Sequence, residues 1–334
     1  MNHFGTALRL SIFGESHGPA VGITIDGCPA GIPLKASDFE PDMDRRRGGT
    51  RAGTTPRKED DIPVFLSGLF NDKTTGAPLT IIFENNNARS SDYEKQRDTP
   101  RPGHADMTAS QKFGGYEDHR GGGHFSGRLT ACLVAAGVLS KKILQYAPGD
   151  IICAATLIEA GGEDDIEKGI QKALDAGDSV GGIVECIVQG LPAGLGEPFF
   201  DSAESLISHI VFSIPAVKGI EFGAGFSAAK MFGSQHNDAI ENNSGKTRTN
   251  NAGGISGGLT NGNDLVFRIA VKPTSSTPKE QQTLNKRSGE IEPFSVKGRH
   301  DLCIALRVPV VLEAVTAFVL ADLMLSAQEV KRVI

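Results

Sequence analysis

The chain has 334 residues, 39% of them hydrophobic, enough to bury a sizeable core in one large domain or two ordinary ones. Its formal charge is -6, from 34 basic and 40 acidic side chains, and no long basic stripe or tail is present, which sets nucleic-acid binding aside. The N-terminus lacks a charged region followed by an apolar segment, and the most apolar stretch, Val308 to Leu325, carries Glu313 and Asp322, so neither a signal peptide nor a membrane span is expected.

Taken along the chain, Leu8 to Phe13 reads as a short strand leading into Gly14-Glu15-Ser16-His17-Gly18, and Val21 to Ile25 as a second strand. Asp26-Gly27 and Pro29-Ala30-Gly31 read as turns. Ser37 or Asp38 is the expected cap of a short helix running toward the arginine cluster. From Arg45 to Lys58 there are six basic side chains and no acidic one, a pattern that suits a small anionic substrate. Gly48 to Thr55 reads as a loop and Pro78 to Glu84 as a compact strand. The polar run from Arg89 to Arg120 is too long for a connection without a function. Leu129 to Leu144 is the clearest helix. Ile151 to Glu159 and Gly182 to Gln189 read as strands flanking a helix at Asp164 to Ala176. Leu206 to Phe212 and Ala314 to Ser326 are further helices, and Leu265 to Val271 is a strand entering Lys272-Pro273-Thr274-Ser275-Ser276. The result is a single mixed domain over 1–334, without a regular βαβ repeat or a linker. Cys28, Cys132, Cys153, Cys186 and Cys303 form no CxxC pair and have mostly apolar neighbours, as reduced core residues of a cytoplasmic chain would.

Five histidines stand in polar, mostly glycine-flanked surroundings: His17, His104, His119, His124 and His300. Histidine exchanges protons near neutrality, so His17 and His104 in particular are candidates for acid–base work. A metal site is not expected, because no three ligands have a recognisable spacing. Gly14 to Gly18 matches G-x-S-x-G in letters, but the strand reading after Pro19 leaves no helix for a nucleophile elbow. Both GxxxxGK[ST] and a strand–GxGxxG–helix unit are missing, so a cofactor phosphate must be held otherwise. Two loops have the means: Arg120-Gly121-Gly122-Gly123-His124-Phe125-Ser126 ahead of the long helix, and Lys272 to Ser276 at a strand end.

In combination these blocks resemble the chorismate synthase family over essentially the whole chain. They are FGESHG (Phe13 to Gly18), DGCPAGIPL (Asp26 to Leu34), DMDRRR (Asp42 to Arg47), RPGHAD (Arg101 to Asp106), DHRGGGHFSGR (Asp118 to Arg128), GSQHND (Gly233 to Asp238), NNAGGISGGLTNG (Asn250 to Gly262), KPTSS (Lys272 to Ser276) and KGRHDLC (Lys297 to Cys303). The resemblance implies an α+β fold in which central helices are sandwiched between antiparallel four-stranded sheets in two pseudo-symmetric halves. It implies an anti-1,4 elimination of phosphate from 5-enolpyruvylshikimate 3-phosphate with reduced FMN and no net redox change. It implies a homotetramer supplied with reduced flavin from a separate source, although some members reduce their own flavin with NADPH.

Carried over residue by residue, His17 resembles the histidine beside the leaving phosphate, His104 the one beside the flavin, and Asp301 the carboxylate near flavin N5. Arg45, Arg46, Arg51 and Arg120 resemble the anion clamp, a task that suits the planar guanidinium fork. His124, Phe125, Ser126, Pro215, Ala216, Gly257, Lys272, Pro273, Thr274, Ser275, Ser276 and Arg299 resemble the flavin site. The chain departs from the family's usual pattern at His124 (an arginine), Phe125 (a serine) and Leu129 (a glutamate). Arg51 is shifted by one column, and Pro215 has no N–H to offer a flavin. The rival readings are a non-catalytic phosphosugar- or flavin-binding protein and a different flavin oxidoreductase.

Overall fold

The computed structural model describes residues 1–49, 53–55, 59–86, 97–296 and 300–328. The first part of the chain contributes β1 (His3–Phe4), β2 (Arg9–Gly14), β3 (Ala20–Asp26), α1 (Glu40–Arg46), β4 (Val64–Ser67), the small hairpin β5 (Leu69–Phe70) and β6 (Lys73–Thr74), then β7 (Leu79–Glu84), α2 (Asp106–Phe113) and α3 (Thr130–Leu144). The second contributes β8 (Ile152–Ala160), α4 (Ile166–Ala176), β9 (Gly182–Gln189), α5 (Ala203–Val211), β10 (Val217–Phe222), α6 (Gly233–His236), the hairpin β11 (Ile255–Ser256) and β12 (Leu259–Thr260), β13 (Leu265–Val271), the hairpin β14 (Gln281–Leu284) and β15 (Ile291–Phe294), and α7 (Val308–Ser326).

The fold is α+β with antiparallel sheets. One sheet runs β1-β2-β3-β7-β4 and the other β10-β13-β9-β8. The first therefore has five strands where four were expected, because His3 and Phe4 pair with Ser11 and Leu10 at its edge. Alternation sets which face is buried: Val184, Cys186 and Val188 of β9 point inward, as do Leu265, Phe267, Ile269 and Val271 of β13. The tetrapeptide Val64–Ser67 and the edge strand Val217–Phe222 were not predicted, since their burial patterns lack clean alternation.

Helices α3 and α7 are apolar on nearly every side and pack against each other, α3 also against β3 and β7, and α7 against β8 and β9. They approach closely at Gly137, where a Cβ would stand 2.3 Å from the Cβ of Ala314. An 18-residue stretch of the segment Ile304–Ser326 has a mean hydropathy of 2.1, long and apolar enough to cross a membrane, but most of it is packed inside the protein. Its two acids tie distant chain to the core. Asp322 accepts N–H bonds from Thr6, Ala7 and Leu8 at 2.7–2.9 Å. Glu313 takes a bidentate pair of bonds from Arg45 and the N–H of Ala155.

Helix ends follow local chemistry. Asp165 and Ser202 cap α4 and α5 through side-chain oxygens. Neither Ser37 nor Asp38 caps α1; Asp38 instead accepts the N–H of Lys35 at 2.8 Å, closing a single 3-10 turn before Phe39. α7 begins at Val308, earlier than expected, because Pro309 lies in its first turn, where no donor is needed. After Gly18 the chain enters β3 rather than a helix, so the Gly14 to Gly18 segment is not a nucleophile elbow.

Candidate active site

A cavity of about 910 Å³ opens where the loops of the first sheet meet the starts of α3 and α7 and the turn after β13. The chain as a whole is acidic, but this cavity is lined by Arg46, Arg47, Arg101, Arg128, Arg307 and Lys272, against the carboxylates Glu59, Asp61 and Asp301. Such a concentration of cations in a concave, partly dry space favours a polyanionic ligand.

His17 is carried on the Gly14 to Gly18 turn, which Asn85 holds by donating from Nδ2 to the carbonyls of Glu15 and Gly18 at 3.0 and 2.9 Å. The three-glycine run lies against it. A Cβ on Gly121 would stand 2.4 Å from His17 Cδ2, and one on Gly122 would stand 3.2 Å from His104 Cε1. All three glycines have positive φ. The run is thus a backbone surface that two imidazoles can approach, which any side chain at Gly121 would obstruct. His124 closes the same loop, its Nδ1 2.8 Å from the carbonyl of Gly14. Phe125 is half exposed at the cavity mouth, and Ser126 caps the next turn through the N–H of Arg128.

His104 lies between α2 and the turn after β13. Its Nδ1 is 2.6 Å from Asp106 Oδ1. Arg101 grips the same carboxylate through Nε and Nη2, both at 2.8 Å, and reaches Ser276 Oγ through Nη1 at 3.2 Å. Burial pushes the Asp106 carboxyl up, but the bonds from Arg101 and His104 outweigh it and hold the group well below the usual carboxylate range. A second clasp joins the same turns: Ser275 Oγ donates to the carbonyl of Gly103 at 2.7 Å. Lys272 donates to Ser275 Oγ at 2.8 Å, and its own N–H goes to the carbonyl of Ala216 at 2.9 Å, so Pro215 and Ala216 are bound to this corner. Burial, then the charge of Lys218, lowers the pKa of Lys272. Thr274 Oγ1 is buried without a hydrogen-bond partner among the described residues.

The third wall is an arginine network. Arg46 is buried, and both it and Arg128 donate to the carboxylate of Asp61. Burial raises the Asp61 pKa, yet the two guanidiniums bring it below the ordinary value. Asp301 is held at both oxygens, by the N–H of Thr55 at 2.9 Å and by Arg307 at 3.0 Å. Arg307 also donates to the carbonyl of Arg46 at 2.7 Å, joining the two groups.

Of the residues singled out in the sequence, His17, His104, Asp301, Arg46, His124, Phe125, Ser126, Pro215, Ala216 and Lys272 through Ser276 line this one cavity. Three do not. Arg45 turns from the cavity to Glu313, Arg120 folds back on Asp118 at 2.7–2.8 Å, and Gly257 sits in the β11–β12 turn with open space around it. Arg51 and Arg299 lie outside the described residues. Sequence reasoning missed Asp61, Arg101, Arg128 and Arg307 as lining residues. Arg101 and Arg128 were inside quoted motifs and were findable there. Asp61 stands in an ordinary acidic run and Arg307 at a helix start, and neither position carries a signal.

A chorismate synthase family profile matches residues 8–325. The chain is 68% identical to a chorismate synthase of Chitinophaga pinensis, over 100% of this chain and 99% of that one. It is 42% identical to a chorismate synthase of Methanocaldococcus jannaschii, over 98% and 97%. A crystal structure of a chorismate synthase superposes with a TM-score of 0.73 at 26% identity, covering 97% of this chain and 93% of that one.

Proposed function

The chain belongs to the chorismate synthase family, whose flavin-dependent reaction eliminates phosphate from 5-enolpyruvylshikimate 3-phosphate to give chorismate, and we propose that the cationic cavity is where this chain carries it out. The observation that carries the assignment is the gathering of His17, His104 and Asp301 with five arginines and Lys272 around one space in an otherwise acidic protein. Simple binding of a phosphosugar or a flavin needs the cations but not that set of proton-handling groups.

The residues divide the work by position. Arg46 is fixed by Asp61 and Thr130, its Nε having no partner among the described residues, and Arg128, held by Asp61, Asn85 and Glu84, adds positive charge beside it, so the pair is oriented in advance for the substrate's phosphate and carboxylates. His17, buried against Gly121, gives a proton or a hydrogen bond to the departing phosphate. Asp301, oriented by Thr55 and Arg307, is placed to relay the proton lost from the ring. His104 holds a proton at the cofactor's edge.

The cofactor is reduced FMN. The corner at Lys272 to Ser276 fits its phosphate and ribityl chain: the lysine's charge is destabilised by burial and by Lys218, and Thr274 offers a buried hydroxyl that has no partner among the described residues. When bound, the reduced flavin supplies transient electron donation that lets phosphate leave without net oxidation. Reduced flavin comes from a separate source.

The same reading gives the fold two related halves, each with a sheet covering the central helix pair. It gives a homotetramer, which the exposed Phe199, Phe200, Phe226 and Phe232 support as apolar surface for contact between copies. A cytoplasmic setting agrees with the five free cysteines.

The test is anaerobic incubation of the purified chain with photoreduced FMN and the enolpyruvyl substrate, following phosphate release and chorismate absorbance. Equal amounts of both, over many turnovers, with no product from oxidised FMN, are expected. Tight binding of both ligands without product would overturn the reading in favour of a binding protein. Oxidised FMN with NADPH, run alongside, reports on an intrinsic reductase.

A further inference from the structure

We propose that Asp106 is a positioning residue that fixes the tautomer of His104, and that Arg101 fastens this pair to the turn at Lys272 to Ser276. The proposal rests on the functional reading only for its kinetic consequence; the geometry stands without it.

The tautomer follows from which atoms can share a proton. His104 Nδ1 is 2.6 Å from Asp106 Oδ1 and 3.1 Å from Arg101 Nη2. Without a hydrogen on Nδ1, two lone pairs would face each other at 2.6 Å. With one, the contact is a short charge-assisted bond from the imidazole to a carboxylate. Arg101 Nη2, which can only donate, also lies in hydrogen-bond geometry to Nδ1, but the same nitrogen donates to Asp106 Oδ1 at the shorter distance of 2.8 Å, so the carboxylate and not the imidazole is its main acceptor. His104 therefore carries its proton on Nδ1, and Nε2 is left as the exchangeable nitrogen. In free histidine the opposite tautomer is the more usual, so the protein must impose this one.

Asp106 is itself over-determined. It opens α2, where the unpaired N–H groups favour a carboxylate, and it also accepts the backbone N–H of Arg101 at 3.1 Å. Arg101 then spends its third nitrogen on Ser276, while Ser275 bonds Gly103. The turn expected to hold the cofactor phosphate and the turn that carries His104 are thus tied together by two hydrogen bonds. Behind His104 a small second cavity is lined by Arg97, Glu117, Asp118, His119 and Lys286, so the imidazole has charged groups on both sides.

The experiment uses the full chain labelled with 15N-histidine, the His104 signals being identified by their loss in His104→Gln. In alkaline buffer, where imidazoles are neutral, the wild type is expected to show a protonated Nδ1 and a bare Nε2. Asp106→Ala should shift that signal toward the Nε2–H form and lower kcat about tenfold to a hundredfold, with KM changed by less than about threefold. Asp106→Asn keeps an acceptor and should retain the tautomer and kcat within about tenfold of wild type. A bare Nδ1 in the wild type, or an Asp106→Ala chain with unchanged spectra and kcat, would overturn the proposal. If Asp106→Ala fails to fold, the wild-type spectrum and Asp106→Asn still decide it. If the wild type makes no chorismate, the functional reading fails while the nitrogen spectra still answer the question of position.

Discussion

Gly121 presses on His17: a Cβ there would lie 2.4 Å from the imidazole Cδ2 and 2.5 Å from Nε2, and the residue sits at φ +60°. Gly121→Ala therefore combines left-handed strain of about 1–2 kcal/mol with a displaced ring. Misplacing a reacting group by about 1 Å can cost on the order of 10²-fold. We expect kcat to fall by about that factor while circular dichroism is unchanged. Gly233→Ala, at a site with open space and no positive φ, is the control and should leave kcat alone. Equal activity in both variants would remove His17 from the chemistry.

Asp61 joins two buried guanidiniums, and Asp61→Asn leaves both with an uncharged partner. Breaking a buried pair of this kind costs about 3–5 kcal/mol. Its folded pKa is lowered, as is that of Asp106, so the folded chain binds fewer protons than the unfolded one in acid. The stability they supply is complete above the unfolded carboxylate range near 4 and disappears as pH falls through the folded values. Denaturant titrations across acid pH should show wild-type stability dropping below about pH 4, with a shallower slope in Asp61→Asn. An identical slope would mean that Asp61 is not ionised in the folded state.

These two carboxylates mark how far the sequence could be read. The compact apolar run Leu265 to Val271 and the long, mostly apolar α3 were legible because their burial is written in their own residues. Val217–Phe222 was not, because an edge strand gains its place from pairing with β13. In the site, glycine-flanked histidines and hydroxyl-rich turns announced themselves. Asp61 did not, since its meaning comes from Arg46 and Arg128, which lie 15 and 67 positions away. Arg45 misled for the same reason: next to Arg46 in sequence, it is turned the other way by one helical residue and is taken by Glu313.

Arg45 and Arg46 should accordingly separate in kinetics. The Arg45 guanidinium is half exposed, so its pair with Glu313 is discounted by solvent to about 1 kcal/mol. Arg45→Met should lower the melting temperature slightly and leave KM unchanged. Arg46→Lys loses the planar fork and its grip on Asp61 and Thr130. A KM for the enolpyruvyl substrate raised about tenfold to a hundredfold is expected there. A large KM effect from Arg45→Met would return that residue to the substrate clamp.

Lys272 offers a test of the phosphate corner that needs no turnover. Burial and Lys218 lower its pKa, so it gives up its proton at a lower pH than an ordinary lysine. An anion bound beside it favours the charged form, which means that binding and protonation reinforce each other. FMN affinity, read from quenching of flavin fluorescence, should weaken as pH rises into the alkaline range. Lys218→Ala removes the competing charge and should carry tight binding to higher pH. Lys272→Ala should weaken binding about tenfold to a hundredfold and abolish that part of the pH dependence. Riboflavin, which has no phosphate, should respond to neither substitution. A Lys272→Ala chain that binds FMN as tightly as wild type would place the phosphate elsewhere, and a riboflavin affinity that followed the same pH curve would assign the effect to the ring instead.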